Sequence, residues 1–106
     1  MVPNHRPWSA TAAGTNGGAT ATQAAVSGVA HFVTSISGHT DTDSLIQILD
    51  DTTVVWQSAI DISVEGFQIK SPANLCVPIT PGNACSVKVV TSTSDCQVNG
   101  NGYSIP

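Results

Sequence analysis

This 106-residue chain is predicted to be all-β. The expected architecture is an antiparallel β-sandwich or jelly roll of about seven or eight short strands, with an extended N-terminal arm. Three observations predict it. Short β-branched or alternating segments recur at spacings of about 8–12 residues. Clusters of Gly, Pro, Asn and Asp separate them. No stretch repeats its apolar residues with the 3.6-residue period of a helix. The organisation that follows is an arm over residues 1–18 and a single sandwich domain over residues 19–106.

The arm opens on Asn4-His5-Arg6-Pro7-Trp8-Ser9-Ala10-Thr11 and continues as a tract of Ala, Thr, Gly and Ser. Repeated Thr and Gly oppose the helix that Ala favours, and the tract shows no apolar face. It reads as an extended segment that lies on something else. Ala19 to Val26, with Thr20 and Thr22 alternating, is the first candidate strand.

From Val29 the strand signal is continuous. Val29–Ser37 places Phe32 and Ile36 on one face and Val33 on the other. Gly38 to Asp43 has the composition of a turn. Ser44–Leu49 is an apolar run broken only by Gln47, as a buried strand would be, and Asp50-Asp51-Thr52 turns the chain. Thr53–Ile60 is β-branched and carries Trp56, which is expected in the core. Ile62–Val64 and Phe67–Ile69 alternate around Gly66, and Leu75–Ile79 follows. In Thr80-Pro81-Gly82-Asn83, Pro and Gly occupy the central positions of a type II turn, the second of which needs φ > 0. Cys85–Thr91 alternates cleanly. Val98–Ile105 closes the chain, with Asn99-Gly100-Asn101-Gly102 expected as a tight turn or bulge.

Charge narrows the function. Charged residues make up 9% of the chain, against about 25% in an ordinary domain. Low charge suits surface that neighbouring subunits cover, because desolvating charges is costly. The net charge is −4, and Arg6, Lys70 and Lys88 are the only strong cations. No nucleic-acid partner is expected, because there is no cationic stripe to displace counterions. No membrane partner is expected either, since no basic amphipathic or membrane-length apolar stretch is present. Met1 to Arg6 leads into no apolar signal core, so folding in a cytoplasm is expected.

Motifs for catalysis and metal binding are sparse. Cys76, Cys85 and Cys96 form an odd set, with spacing C-x8-C-x10-C and no CxxC. Small buried thiols are the favoured reading, with a Cys76–Cys85 bridge as the alternative. His31 sits mid-strand and is expected to be packed or hydrogen-bonded; His39 is expected to be solvated in a turn. Asp41-Thr42-Asp43 supplies too few oxygens for calcium, and Asp50-Asp51 point apart at a strand end. No enzyme, no metal and no cofactor is expected. Trp8 follows Pro7 outside any strand, so it docks either onto its own domain or into a partner, and the partner is favoured. Trp and Arg are the residue types enriched at interface hot spots. The candidate partner-binding residues are therefore Arg6, Pro7, Trp8, Ser9 and Thr11.

The opening octet, the Ala/Thr/Gly tract and Ala30-His31-Phe32-Val33-Thr34-Ser35-Ile36-Ser37 together resemble the start of small structural proteins of tailed bacteriophages. Those proteins are the head decoration, or cement, subunits. The resemblance continues through Asp51–Trp56, Thr80–Ala84 and Gly102-Tyr103, and departs from the family at the extra glycine of Asn99–Gly102. It implies a viral structural protein: a β-sandwich homotrimer on the exterior of the virion capsid, clamping major capsid proteins after synthesis in the host cytoplasm. The alternatives are a carbohydrate-binding or host-attachment module, and a tail or head-fibre component of a phage virion.

Overall fold

The computed structural model describes residues 6–14, 17–61, 68–70, 74–90 and 95–106. It is all-β, with no helix among the described residues, and therefore no helix long and apolar enough to cross a membrane. Nine strands follow in chain order: β1 (Arg6–Gly14), β2 (Ala19–Gln23), β3 (Ala30–Thr40), β4 (Ser44–Asp50), β5 (Thr53–Ile60), β6 (Gln68–Lys70), β7 (Val77–Pro78), β8 (Cys85–Val90) and β9 (Cys96–Ile105). One sheet has the order β1-β9-β3-β6, with β7 also on β3; the other has the order β2-β8-β4-β5. Every pairing is antiparallel. The alternation expected over Ile62–Val64 and at Phe67 lies outside the described residues.

The core forms where the inward faces of the two sheets meet. Val33, Ile36 and Val98 come from one sheet, and Ile46, Ile48, Val87, Val89, Ala19 and Ala21 from the other. These strands alternate inward and outward residues, and β8 (Cys85–Val90) does so without a break. Each fully buried Val or Ile contributes about 1.5–3 kcal/mol relative to exposure.

The turn at residues 80–83 forms as predicted. Gly82 has φ +86°, and the Asn83 amide donates to the Thr80 carbonyl at 3.0 Å. The Asp50 carboxylate ties this turn to the end of β4. It accepts from the Thr80 hydroxyl at 2.6 Å, the Thr80 amide at 3.0 Å and the Asn83 side-chain amide at 2.9 Å.

Five expectations are corrected. Residues 6–14 are extended, but they lie on the chain's own domain, paired with β9 from Arg6–Ser104 to Gly14–Cys96. They also have a face, since Trp8, Ala10 and Ala12 alternate toward the core. Asn99–Gly102, expected as a tight turn or bulge, makes no turn and runs through β9, which β1 and β3 flank; a bulge does fall opposite Asn101 and Gly102, but the extra residue is Thr34 of β3. Phe32 and Ile36 lie on opposite faces, because a bulge at Thr34 shifts the register between Val33 and Ser35. Gly38 to Thr40, expected as turn, completes β3, and the exposed His39 sits in that strand. Trp56 packs against the core but is only half-buried. A second bulge, opposite Ile48 and Leu49, leaves Val54 and Val55 both exposed on edge strand β5.

Candidate functional site

Residues 6–9 start the edge strand β1, and their alternation places them on two sides of the sheet. Trp8 stands opposite Gly102 and points toward the core; Pro7 and Ser9 stand opposite Tyr103 and Asn101 on the outer face. The Trp8 indole Nε1–H donates to the Tyr103 carbonyl at 3.2 Å. Its ring meets that of His31 edge-on, with centroids 6.4 Å apart at 71°. Of the two docking modes expected for Trp8, its own domain is the one observed.

His31 is 1% exposed and Ser104 is 8% exposed. His31 Nε2 lies 2.9 Å from the Ala24 carbonyl and Nδ1 lies 2.6 Å from Ser104 Oγ. A carbonyl only accepts, so Nε2 carries the proton and the Ser104 hydroxyl donates to Nδ1. The pair fastens the segment after β2 to β9. It has the polarity of a serine–histidine dyad. However, its hydroxyl is buried, and β9 lies between two paired neighbours, which commits the backbone amides around Ser104 to the sheet.

Two hollows flank Pro7 and Trp8. The inner one, about 440 Å³, opens at the end of the sandwich; Arg6, Pro7, Trp8, Val26, Val29 and His31 help to line it. The outer one, about 420 Å³, is shallower and lined by Pro7, Trp8, Ser9, Thr34, Asn101 and Gly102. Four of the five candidate partner-binding residues thus gather at one place. Arg6 borders the inner hollow, Ser9 the outer, and Pro7 and Trp8 both. Thr11 lies further along β1 and lines neither hollow; its hydroxyl is bonded to the Asn99 side-chain oxygen, with the Val98 carbonyl 3.3 Å away.

Sequence reasoning missed a row of residues on the outer face. Pro7 pairs with Tyr103, Tyr103 with Phe32, and Phe32 with Pro78, so four strands contribute one apolar ladder. The Phe32 and Tyr103 rings stack at 4.9 Å and 14°. The signal was present in Gly102-Tyr103-Ser104, whose alternation puts Tyr103 outward once Ser104 is inward. The bulge that turns Phe32 outward has no comparable marker.

Among the described residues, no group of three or more His, Cys, Asp or Glu side chains is placed to hold a metal ion. In the Asp41–Asp43 turn, the Ser44 hydroxyl donates to the Thr42 carbonyl at 2.9 Å. All three cysteines are free; Cys85 and Cys96 are buried and Cys76 is exposed. Burial first, and the Asp50 charge second, push the Cys85 thiol up to about 12.

No protein-family model and no curated sequence matches the chain. Among solved structures it is similar to the CBM36-1 domain of a multidomain xylanase from the hindgut metagenome of Trinervitermes trinervoides. That likeness has 14% identity, covers 91% of this chain and 75% of that one, and has a TM-score of 0.40. It is too distant to bear on any site. The class of protein the fold defines is a two-sheet antiparallel β-sandwich.

Proposed function

We propose that the protein is a non-enzymatic structural subunit of a tailed-phage virion. In this reading it decorates the outside of the head as a homotrimer and stabilises contacts between major capsid proteins. The observation that carries it is the coincidence of two features at residues 6–9. They belong to the octet that resembles head decoration proteins, and they form a sheet edge between two hollows. A standard interface of about 1,600 Å² is enough for specific binding, and three linked copies add avidity.

The test is to mix the purified chain with heads of the parent particle stripped of it, then sediment them and image them by electron microscopy. Saturable binding in fixed ratio to the major capsid protein is expected, as is a trimer by light scattering. Heads that take up none of it sink the reading. Hydrolysis of a chromogenic acetate ester that depends on Ser104 would overturn the non-enzymatic part.

A second reading, a carbohydrate-binding or host-attachment module, would have to use the Phe32–Tyr103 row on the outer face. Sugar platforms use exposed ring faces, and here each ring covers one face of the other. A glycan array on which nothing binds ends that reading.

A further inference from the structure

We infer that the edge of β1 (Arg6–Gly14) at Arg6–Ser9 is the seat for an extended, acidic segment of the partner protein, which adds as a strand. The inference rests on the reading of the chain as an assembly subunit and names what part of the partner is taken. Three features of the edge carry it.

The first is pairing. Among the described residues β1 pairs only with β9, so its other edge offers backbone groups to an added strand. The second is the placement of the hollows. An added strand sends successive side chains to opposite faces of the sheet. The inner and outer hollows lie on opposite sides of the same two residues, Pro7 and Trp8. One side chain of the added strand enters the inner hollow beside Trp8, Val26 and Val29. Its neighbour lies over the outer hollow beside Ser9, Thr34 and Asn101. The first of these positions takes an apolar group and the second a polar one.

The third feature is charge. The chain carries −4 overall and has three strong cations, one of which is Arg6. Arg6 borders the inner hollow, and no acidic side chain lines that hollow. A carboxylate two positions from the apolar anchor points to the same side of the sheet as the anchor and Arg6, and a guanidinium holds a carboxylate through paired N–H donors.

The probes are two capped hexapeptides, one with a Leu-Ser-Asp centre and one with Leu-Ser-Asn, so that the Leu and the acidic or amide side chain share a face, titrated into the ¹⁵N-labelled full chain. Saturable shifts are expected at the Arg6 and Trp8 amides and the Trp8 indole, with Val26 and Val29 following and the Trp56 indole still. The Asn peptide is expected to bind about tenfold more weakly. Arg6→Gln should lower the affinity for the Asp peptide by a similar factor and abolish its dependence on salt. Because Arg6 is exposed, the melting temperature of that variant should match the parent, so lost binding is not lost folding. Equal affinity for the two peptides, or shifts confined to other strands, overturns the inference. If the chain decorates heads while millimolar Asp peptide leaves these resonances unmoved, the seat is wrong and the function stands. If the peptide binds there and heads take up no protein, the seat stands and the function falls.

Discussion

Gly102 lies beneath the Trp8 indole. A Cβ built on Gly102 would stand 2.9 Å from Trp8 Cζ2 and would collide with the Phe32 carbonyl oxygen. The glycine is therefore what lets the edge strand bring its tryptophan over β9, and its role is spatial, since its φ lies outside the left-handed region. Gly102→Ala should cost about 1–3 kcal/mol, the usual range for overpacking. It should also shift the Trp8 indole resonance while leaving that of Trp56 in place. Urea unfolding and an NMR spectrum check both, and an unchanged midpoint contradicts the packing described.

Gly100 plays the matching role across the sandwich. A Cβ there would sit 2.8 Å from both γ-carbons of Val87 on β8. Gly100→Ala alone should destabilise by about 1–3 kcal/mol. Adding Val87→Ala removes the branches it strikes, so the double variant should lose less than the sum of the two singles. A double-mutant cycle measures that coupling, and strict additivity refutes it.

Trp8 is half-buried, packs on the core and donates to the Tyr103 carbonyl. Trp8→Phe keeps a ring but loses that hydrogen bond, a change of about 0.5–1.5 kcal/mol. Trp8→Ala should cost more, about 2–3 kcal/mol, which is below the range for a fully buried tryptophan. Denaturant titration ranks the two. If Trp8→Ala is as stable as the parent, β1 is not held by this side chain.

The Thr80 hydroxyl, and after it the Asn83 amide and the Thr80 N–H, hold the Asp50 carboxyl below its ordinary value of 3.8, against an opposing effect of desolvation. A carboxyl depressed in the folded state stabilises that state fully above pH 3.8. The contribution is lost as pH falls through the lower folded value. Asp50→Asn should cost about 1–2 kcal/mol at neutral pH, a modest figure because the site is well solvated. The gap between parent and variant should close below about pH 3.8. Melting curves from pH 2 to pH 7, about the span that matters for a carboxylate, test it; a gap independent of pH refutes it.

Thiol chemistry should be selective. Cys76 is exposed, whereas burial raises Cys96 above its ordinary value and pushes Cys85 up to about 12. Only the thiolate reacts. Iodoacetamide at pH 8 should label Cys76 alone in the native protein and all three cysteines in urea, as read by mass spectrometry. Native labelling of Cys85 would contradict its burial.

Strands whose inward residues are large were legible from sequence. Thr53–Ile60 was located to the residue by its β-branched composition, although it is an exposed edge strand. Ser44–Asp50 was located to within one by its apolar run, and Cys85–Val90 to within one because its Val residues alternate on a two-residue period. Strands whose inward residues are small were misread. In β1 the inward set runs Trp8, Ala10, Ala12, and in β9 it includes Gly100 and Gly102. Alanine and glycine carry almost no apolar signal, so β1 looked like a free arm and the middle of β9 like a tight turn or bulge. The candidate site shared that fate. Arg6, Pro7, Trp8 and Ser9 were picked out by residue type and prove to be neighbours, but the two hollows they border come from β3, β9 and the segment after β2.

The sequence by itself determined the class of fold, the turn at Pro81-Gly82 and the concentration of unusual residues at the start of the chain. Each of these depends on local chemistry: β-branching, a positive φ, one ring and one charge. The tertiary structure decided where that start lies and which way Phe32 points. The first follows from the fit of Trp8 over a glycine 94 positions away, and the second from a one-residue bulge. Neither is visible along the chain, because each depends on the shape of a strand that only folding brings alongside.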